Sequence, residues 1–448
     1  MNKLLIIIAM SACYAMIFLD MSGVAVVLPN LKQNLMLSTS GMQWAMNSFI
    51  LTMAIFLLMG GKLGDRYGHR KIFMFGLIIF IASSVICALA QGQWSIISGR
   101  ILQGIGASFL MPTIAVLIQR SFPDNEYGKA FGTILLFSNL FYALGPFLGG
   151  ILAEYFSWRG IFWINLPIGI VCYYCTKKSI QVDVVKAYET HFDYKGLFLF
   201  VIAISAIVIA TMQGEKVGWT SFSILGLFVL GVISLICFIC IELSMKDPLL
   251  EIRLFHNKIF MAGNVILCSG YMSFAAIIFW PLWLSHTFHY SAMMIGAAML
   301  PATIPTIFVP RYAGVWRDKS GPRAPMICGV WLTIVGIAWI ALTASIPNYW
   351  IVLPGLLGYG FGLPMFIPNA VTVIMTSVEE KNRGMASGVF ATLRQVALAF
   401  GFSIIAAVVA ATETHVAYSK AFSYGMASIG IFVVISIVFV YLFIPAKK

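Results

Sequence analysis

The chain has 448 residues, of which 60% are hydrophobic and only 10% are charged. Charged residues make up about 25% of ordinary soluble proteins, so this composition excludes a soluble globular protein. The formal net charge is +12, but the basic residues lie at the ends of apolar runs. That distribution is typical of membrane topology and excludes a nucleic-acid-binding protein.

The first apolar run predicts a transmembrane helix rather than a cleaved leader. It follows Lys3 and continues past Asp20 to Pro29 without a convincing cleavage site. This stretch is too long for the apolar region of a signal peptide.

Apolar runs bounded by charged or turn residues predict an all-α integral membrane protein with fourteen transmembrane helices, since each crossing takes about 20 apolar residues. The predicted helices are Leu4–Leu28, Met42–Gly60, Ile72–Ala90, Trp94–Ile118, Gly132–Leu152, Gly160–Cys175, Leu197–Met212, Phe222–Leu243, Ile259–Leu284, Met294–Val309, Ala324–Ala344, Tyr349–Val373, Met385–Ala410 and Phe422–Phe443. Polar segments divide them into a six-helix bundle (residues 1–176), linkers with two extra helices (177–258) and a second six-helix bundle (259–448).

The basic residues also predict the orientation. With the N-terminus placed inside, four of the 28 Lys and Arg residues fall on the outer side: Lys32, Arg159, Lys216 and Lys420. Arg100 and Arg394 lie within helices, and the rest, up to Lys447 and Lys448, fall on the cytoplasmic side. The positive-inside rule therefore predicts two cytoplasmic termini. Chain length and short termini favour the cytoplasmic (inner) membrane of a bacterium.

The pattern G-x3-D-x2-G-x-R occurs twice, 253 positions apart, between the second and third helices of each bundle. Its residues are Gly61, Asp65, Arg66, Gly68 and Arg70 in the first copy, and Gly314, Asp318, Gly321 and Arg323 in the second. The repetition predicts an internally duplicated membrane protein built from two bundles. Glycines allow helix ends to approach closely, and Asp65 can accept backbone hydrogen bonds and pair with Arg. Two matched copies favour a conformational clasp over a merely solvated loop.

Ionisable residues within membrane helices are costly and mark function. Asp20 lies roughly 24 Å from the inner edge of its helix and Arg100 roughly 9 Å from the outer edge of its own, at about 1.5 Å per residue. In a hydrocarbon core about 30 Å thick the two are nearly level, so they can pair. Burial disfavours the charge on Asp20 and the guanidinium favours it, which predicts a proton-coupling pair. The alternative is a static buried ion pair.

Arg394 lies near mid-depth in the thirteenth helix. It could bind an anionic substrate group, or be satisfied by carbonyls and Gln395, and the sequence leaves both open. Other polar or aromatic residues are predicted to line a substrate cavity: Gln43, Trp44, Asn47, Gln103, Asn139, Tyr142, Asn264, Tyr271 and Asn369.

The fifth helix contains Gly145, Pro146, Gly149 and Gly150, which predict a bend at a helix–helix seam. Comparable breaks are predicted at prolines of the tenth and twelfth helices: Pro305, Pro310, Pro364 and Pro368. The eight cysteines lie in apolar runs, and two pairs have C-x-x-C spacing, Cys172/Cys175 and Cys237/Cys240. Core packing is the favoured interpretation over a metal site.

Several of these stretches resemble the major facilitator superfamily, and in particular its fourteen-span drug:proton antiporter family. Gly61 to Arg70 resembles the superfamily loop motif, Leu19 to Pro29 the first-helix motif, and Arg100 to Gly106 the fourth-helix motif, whose Arg is implicated in proton transfer. Gly145 to Gly150 is similar to the end of the antiporter motif, and Trp158 to Gly169 to a stretch of the fourteen-span branch. The second bundle departs from several exporters of lipophilic cations because it lacks their acidic residue.

The resemblance implies the major facilitator fold and a proton-coupled antiporter that exports small amphipathic molecules or drugs by alternating access. The alternative is a dedicated exporter of one endogenous anionic or zwitterionic metabolite, such as a siderophore. The proton gradient stands in place of a cofactor. The expected partners are the lipid bilayer, a small-molecule substrate and protons, and a monomer is expected. The chain shows no catalytic motif, so a membrane enzyme is not favoured.

Overall fold

A computed structural model describes residues 3–180, 193–245, 248–379, 382–413 and 415–446. Within these ranges the chain forms helices and no strands. The helices are α1 Lys3–Asn34, α2 Thr39–Tyr67, α3 His69–Ala88, α4 Gln93–Ser121, α5 Asp124–Tyr155, α6 Gly160–Trp163, α7 Asn165–Ser179, α8 Tyr194–Val217, α9 Phe222–Ser244, α10 Lys258–Phe274, α11 Trp280–Phe288, α12 Ala292–Thr303, α13 Pro305–Ser320, α14 Arg323–Thr343, α15 Tyr349–Thr376, α16 Arg383–Glu413 and α17 Tyr418–Phe443.

The all-α membrane prediction is confirmed. Thirteen helical segments of the described chain are long and apolar enough to cross a membrane. The predicted sixth helix is not among them, because it is divided at Ile164 into the short α6 and the fifteen-residue α7. Lys447 and Lys448, which are predicted to be cytoplasmic, lie outside the described residues. So do residues 181–192 and 246–247 of the predicted linkers.

Proline has different effects at the positions predicted to be breaks. Pro305 begins α13, directly after the break that separates this helix from α12. Pro310 lies inside α13, and Pro364 and Pro368 lie inside α15, so the breaks predicted at these three prolines are wrong. An unbroken helix tolerates proline in a membrane when neighbouring groups satisfy the carbonyl that the proline leaves without a donor.

The chain groups into two compact units. The first contains α1 to α7 together with residues 290–300, and the second contains α8 to α11 and the chain from residue 301 onwards. The two extra helices, α8 and α9, therefore group with the second bundle.

Glycines bring α1 and α5 into close contact in the first unit. A Cβ atom on Gly145 would lie 1.9 Å from Oγ of Ser22, and one on Gly149 would lie 2.7 Å from the carbonyl oxygen of Gly23. Small residues allow this approach because membrane helices associate through close packing rather than through the hydrophobic effect. This contact fixes the part of α1 that contains Asp20, because Asp20 lies within one turn of Gly23.

Two other residues of the bend predicted in α5, Pro146 and Gly150, pack against the start of α12, which belongs to the first unit. A Cβ atom on Gly150 would lie 2.3 Å from the carbonyl oxygen of Ala292, and one on Gly296 would lie 2.4 Å from that of Pro146. The carboxylate of Glu154 accepts a hydrogen bond from the backbone N–H of Met293 (2.9 Å). The predicted seam along α5 is therefore a contact surface on two sides.

Glycines also hold α4 against its neighbours α2 and α3. A Cβ atom on Gly104 would lie 2.5 Å from the carbonyl oxygen of Phe49 in α2, and one on Gly106 would lie 2.8 Å from the backbone nitrogen of Phe80 in α3. These contacts fix the part of α4 that contains Arg100 and Gln103.

In the second unit, α14 packs closely on α15 through glycines on both helices. A Cβ atom on Gly336 would lie 2.5 Å from the backbone nitrogen of Tyr359, and one on Gly362 would lie 2.6 Å from that of Thr333. The α3–α4 and α14–α15 pairs of the two bundles therefore share a glycine-based packing mode.

We expect Gly149→Ala to lower the free energy of unfolding by about 1–3 kcal/mol, because the new methyl group meets backbone atoms of α1 that cannot rotate away. Gly132→Ala on the same helix is the matched control, since a Cβ atom there meets nothing within 4 Å. Thermal unfolding of the two purified variants in detergent checks the prediction. Equal stabilities would contradict the close α1–α5 contact.

Candidate functional site

The first unit contains a buried ion pair. Asp20 in α1 and Arg100 in α4 are both fully buried, and Nη1 of Arg100 donates a hydrogen bond to Oδ2 of Asp20. The two residues that the sequence places at similar depth are thus in contact. An isolated charge at this position would be very costly, so each charge requires the other.

Three further contacts fix the guanidinium of Arg100. Its Nε donates to the carbonyl oxygen of Ala45 (3.1 Å), and Nη1 also donates to Oε1 of Gln103 (2.9 Å). Its Cζ lies 4.3 Å from the centre of the Phe49 ring, which is within the range of a cation–π interaction. The planar, forked shape of Arg suits this arrangement, and Lys could not reproduce it.

Two amide side chains complete the surroundings of the carboxylate. Nε2 of Gln103 donates to Oδ1 of Asp20 (3.2 Å) and to Oγ of Ser84 (2.8 Å). Nδ2 of Asn165 approaches the same two oxygens, at 3.5 Å and 3.2 Å respectively. We call Asp20, Ser84, Arg100, Gln103 and Asn165 the charge cluster. Gln103, predicted to face a cavity, lies in this cluster and is fully buried.

The sequence did not mark Ser84 or Asn165 as site residues. Asn165 is the first residue of α7, immediately after the break at Ile164, and Pro167 follows in the first turn. Proline is tolerated there because the first N–H groups of a helix have no partner within it. A polar side chain two residues before Pro167, in an otherwise apolar stretch, is the signal that could have identified Asn165. Ser84, one of two adjacent serines in an apolar helix, offers no comparable signal.

The remaining predicted cavity residues of the first unit differ in burial. Gln43, Asn47 and Tyr142 are buried, whereas Trp44 and Asn139 are half-buried. The Tyr142 ring packs edge-on against Phe18, with ring centres 6.2 Å apart. Phe18 precedes Asp20 by two residues, so Tyr142 contacts the helix that contains Asp20.

The second unit contains a separate pair of predicted residues. Cζ of Arg394 in α16 lies 5.6 Å from the centre of the Tyr271 ring in α10. Asn264 and Asn369 are buried, and their Nδ2 atoms donate to carbonyl oxygens one turn earlier in their own helices. Gln395 is also buried.

The repeated loop has the same backbone geometry in both copies. Gly68 has φ of 97° and Gly321 has φ of 82°, in the region that favours glycine. Each glycine ends a helix, and its N–H donates to the carbonyl oxygen four residues earlier, at 2.9 Å to Gly64 and 2.7 Å to Arg317. The second glycine of the pattern is therefore required by backbone conformation.

The acidic residues of the loops pair locally. The carboxylate of Asp65 lies 3.1 Å from Nε2 of His69, which is buried, and Asp318 lies 2.9 Å from Nη2 of Arg317. The guanidinium of Arg317 also donates to Oγ1 of Thr372 in α15 (2.7 Å). The sequence had not marked His69, although it lies within the first pattern.

The last arginine of each pattern binds the final helix of its own bundle. Arg70 donates to the carbonyl oxygen of Lys177 near the end of α7 (3.1 Å), and Arg323 donates to that of Tyr441 near the end of α17 (2.9 Å). Cations stabilise helix C-termini, where carbonyl groups lack partners. In each unit the loop thus ties the second and third predicted helices to the sixth.

We expect Gly321→Ala to destabilise the protein by about 1–3 kcal/mol, because a non-glycine residue is strained at this positive φ. Gly314→Ala, in the same pattern, should be tolerated, since its Cβ atom meets nothing within 4 Å and it lies inside α13. Thermal unfolding of both variants checks this difference. If both were equally tolerated, backbone conformation would not explain the repeated glycine.

The family model of the Major Facilitator Superfamily matches residues 10–244 and 263–448. The chain belongs to this superfamily. It is therefore a multi-pass membrane transporter and not an enzyme, which confirms both predictions.

Characterised relatives are similar over nearly the whole chain. The multidrug resistance protein Stp of Mycobacterium tuberculosis is 28% identical over 412 residues, covering 92% of this chain and 76% of Stp. The riboflavin transporter RibZ of Clostridioides difficile is 28% identical, covering 92% and 90% of the two chains. The methylenomycin A resistance protein of Bacillus subtilis is also 28% identical, covering 91% and 88%.

Solved structures support the fold. A crystal structure of an auto-inhibited peptide transporter of the POT family superposes with a TM-score of 0.72, covering 100% of this chain and 98% of the other. The identity is 15%, so this similarity bears on the fold alone.

Proposed function

We propose that this transporter is a proton-coupled antiporter that exports small amphipathic molecules across the cytoplasmic membrane by alternating access. The observation that carries the proposal is the charge cluster. It places a carboxylate deep in a membrane helix, next to one arginine and two amides, where a proton can neutralise it.

The cluster suits proton exchange because the carboxylate of Asp20 is buried, and Arg100 and Gln103 donate hydrogen bonds to it. Access of water to this carboxylate in one conformation of the transporter would let it shift between the carboxylate and the neutral acid. Such a shift couples proton binding to the conformational cycle of a transporter.

Export is supported by the names of the relatives, since Stp and the methylenomycin protein are resistance proteins. The distribution of Lys and Arg supports cytoplasmic termini. A dedicated exporter of one anionic or zwitterionic metabolite is the second candidate. It is favoured by Arg394 on Tyr271, which places a cation on an aromatic face in the second bundle, and by the single vitamin named for RibZ.

Uptake into inverted membrane vesicles tests the proposal. Riboflavin, the zwitterion norfloxacin and the cation ethidium serve as probes, each with and without an imposed pH gradient. We expect gradient-dependent accumulation of at least one probe, and mutual competition among several probes would favour the drug exporter. Accumulation that is the same with and without the gradient would overturn proton coupling.

A further inference from the structure

One acceptor atom of the charge cluster is buried and has no hydrogen-bond partner in the described part of the chain. This atom is Oδ1 of Asn165, a residue that is fully buried. Buried polar atoms without partners are costly and rare in folded proteins. Here the atom lies on the amide whose Nδ2 is 3.5 Å from Oδ1 of Asp20.

A protonated Asp20 would need an acceptor for its new O–H group. Oε1 of Gln103 already accepts from Nη1 of Arg100 (2.9 Å) and lies 3.6 Å from Sγ of Cys87. Nη2 of Arg100 is also buried without a hydrogen-bond partner, but it is a donor and cannot accept.

Ser84 cannot fill this role either. Its Oγ accepts from Nε2 of Gln103 (2.8 Å) and from Nδ2 of Asn165 (3.2 Å), and its own O–H donates to the carbonyl oxygen of Phe80 (2.8 Å). Within the cluster, Oδ1 of Asn165 is therefore the acceptor that remains.

We propose that Asn165 is a positioning residue that changes from donor to acceptor when Asp20 takes up a proton. When Asp20 is ionised, Nδ2 of Asn165 points towards its carboxylate. When a proton from water binds Oδ1 of Asp20, the amide rotates by half a turn, and Oδ1 of Asn165 accepts the new O–H bond. The hydroxyl of Ser84 then faces Oδ1 of Asn165 in place of Nδ2, and it turns from the carbonyl oxygen of Phe80 to donate to that oxygen. Release of the proton to water on the other side reverses the rotation. The two ends of an amide have nearly the same shape, so the exchange needs little space.

The charged and titratable groups around Asp20 leave Asn165 as the partner that can change from donor to acceptor. The titratable or charged groups near it are Arg100 from α4 and Cys87 from α3. Helices α2, α5 and α7 place no charged side chain within hydrogen-bonding distance of Asp20 among the described residues. After protonation, Arg100 keeps its bonds to Ala45 and Gln103, so Asn165 is the partner free to change.

The proposal rests on the proposed proton-coupled function, but an infrared titration tests it without transport. Purified protein in lipid nanodiscs is titrated, and the carboxylic acid band lost in Asp20→Asn identifies Asp20. We expect Asn165→Leu to move this band to higher wavenumber, because the O–H group of the neutral acid then has no acceptor. The carboxylate keeps the hydrogen bonds from Arg100 and Gln103.

Two further variants complete the experiment. Asn165→Asp should move the midpoint to higher pH, because two neighbouring carboxyl groups share a proton. This variant tests the proposal if Asn165→Leu does not fold. Thr176→Val is the matched control: Thr176 lies on the same helix, is fully buried, and its Oγ1 has no hydrogen-bond partner. Its band position and midpoint should equal those of the wild type.

The proposal is overturned if Asn165→Leu leaves the carboxylic acid band at the position of the wild type. It is also overturned if Asn165→Asp fails to raise the midpoint, or if Asp20 does not titrate while the protein stays folded. Proton-independent transport by a wild type that shows the expected band shifts would instead overturn the proposed function alone.

Discussion

Asp20→Asn is expected to abolish accumulation of substrate against its gradient while leaving exchange of substrate down its gradient. The amide has nearly the shape of the carboxyl group and can still accept a hydrogen bond from Arg100, so the packing of α1 on α5 should survive. It cannot gain or lose a proton in the physiological range, so a pH gradient can no longer drive the cycle. Uptake into proteoliposomes with an imposed pH gradient measures accumulation. Equilibrium exchange of labelled compound measures whether the protein still alternates between its two conformations.

The control for this prediction is Glu154→Gln. Glu154 is an acidic residue of the same unit, but it binds the backbone of Met293 and lies outside the charge cluster. This variant should retain gradient-driven accumulation. Undiminished accumulation by Asp20→Asn would show that another group carries the proton, and loss of exchange as well would indicate that Asn165, Gln103 and Arg100 need the carboxylate for packing.

Arg100→Leu is expected to have the largest effect on stability. It leaves a buried carboxylate without its charged partner, which costs about 3–5 kcal/mol. It also removes the hydrogen bond to Ala45 and the contact with Phe49. Adding Asp20→Asn should recover part of the loss, because the remaining group is then uncharged. Thermal unfolding can be followed with a thiol-reactive dye, since three cysteines are buried in the first unit: Cys13, Cys87 and Cys172.

Arg159→Leu is the comparison for this series. Arg159 donates to the carbonyl oxygen of Ala90 (2.9 Å) and stacks on Trp158, but it has no part in the charge cluster. Its loss should cost about 1 kcal/mol. If the double variant Asp20→Asn/Arg100→Leu were no more stable than Arg100→Leu, the buried charge would not be the source of the destabilisation.

The all-α membrane fold and the pairing of Asp20 with Arg100 could be predicted, because long apolar runs mark the helices and the rise of a helix places the two residues at similar heights. Depth alone, however, does not fix the direction of a side chain around its helix axis. For this reason the sequence did not show that Gln103, one turn along α4 beyond Arg100, faces Asp20. The loop pattern revealed the need for glycine at positions 68 and 321, but not the partners of Arg70 and Arg323, which lie more than a hundred residues away.

Breaks in membrane helices were the least predictable feature. Proline marked a break correctly at Pro305 but not at Pro364, because neighbouring helices decide whether a proline interrupts its own. The break at Ile164 occurs without a proline at that position, and it is the one that brings Asn165 to the charge cluster.

The most direct test of proton coupling is to measure protons and substrate together. Purified protein is reconstituted into liposomes that contain a pH-sensitive dye, and a gradient of a transported compound is imposed without a pH gradient. Proton movement opposite to the compound is predicted for the wild type, and none above the background of empty liposomes for Asp20→Asn. Transport by the wild type without proton movement, or equal proton movement in the two proteins, would contradict the assignment of Asp20 as the coupling residue.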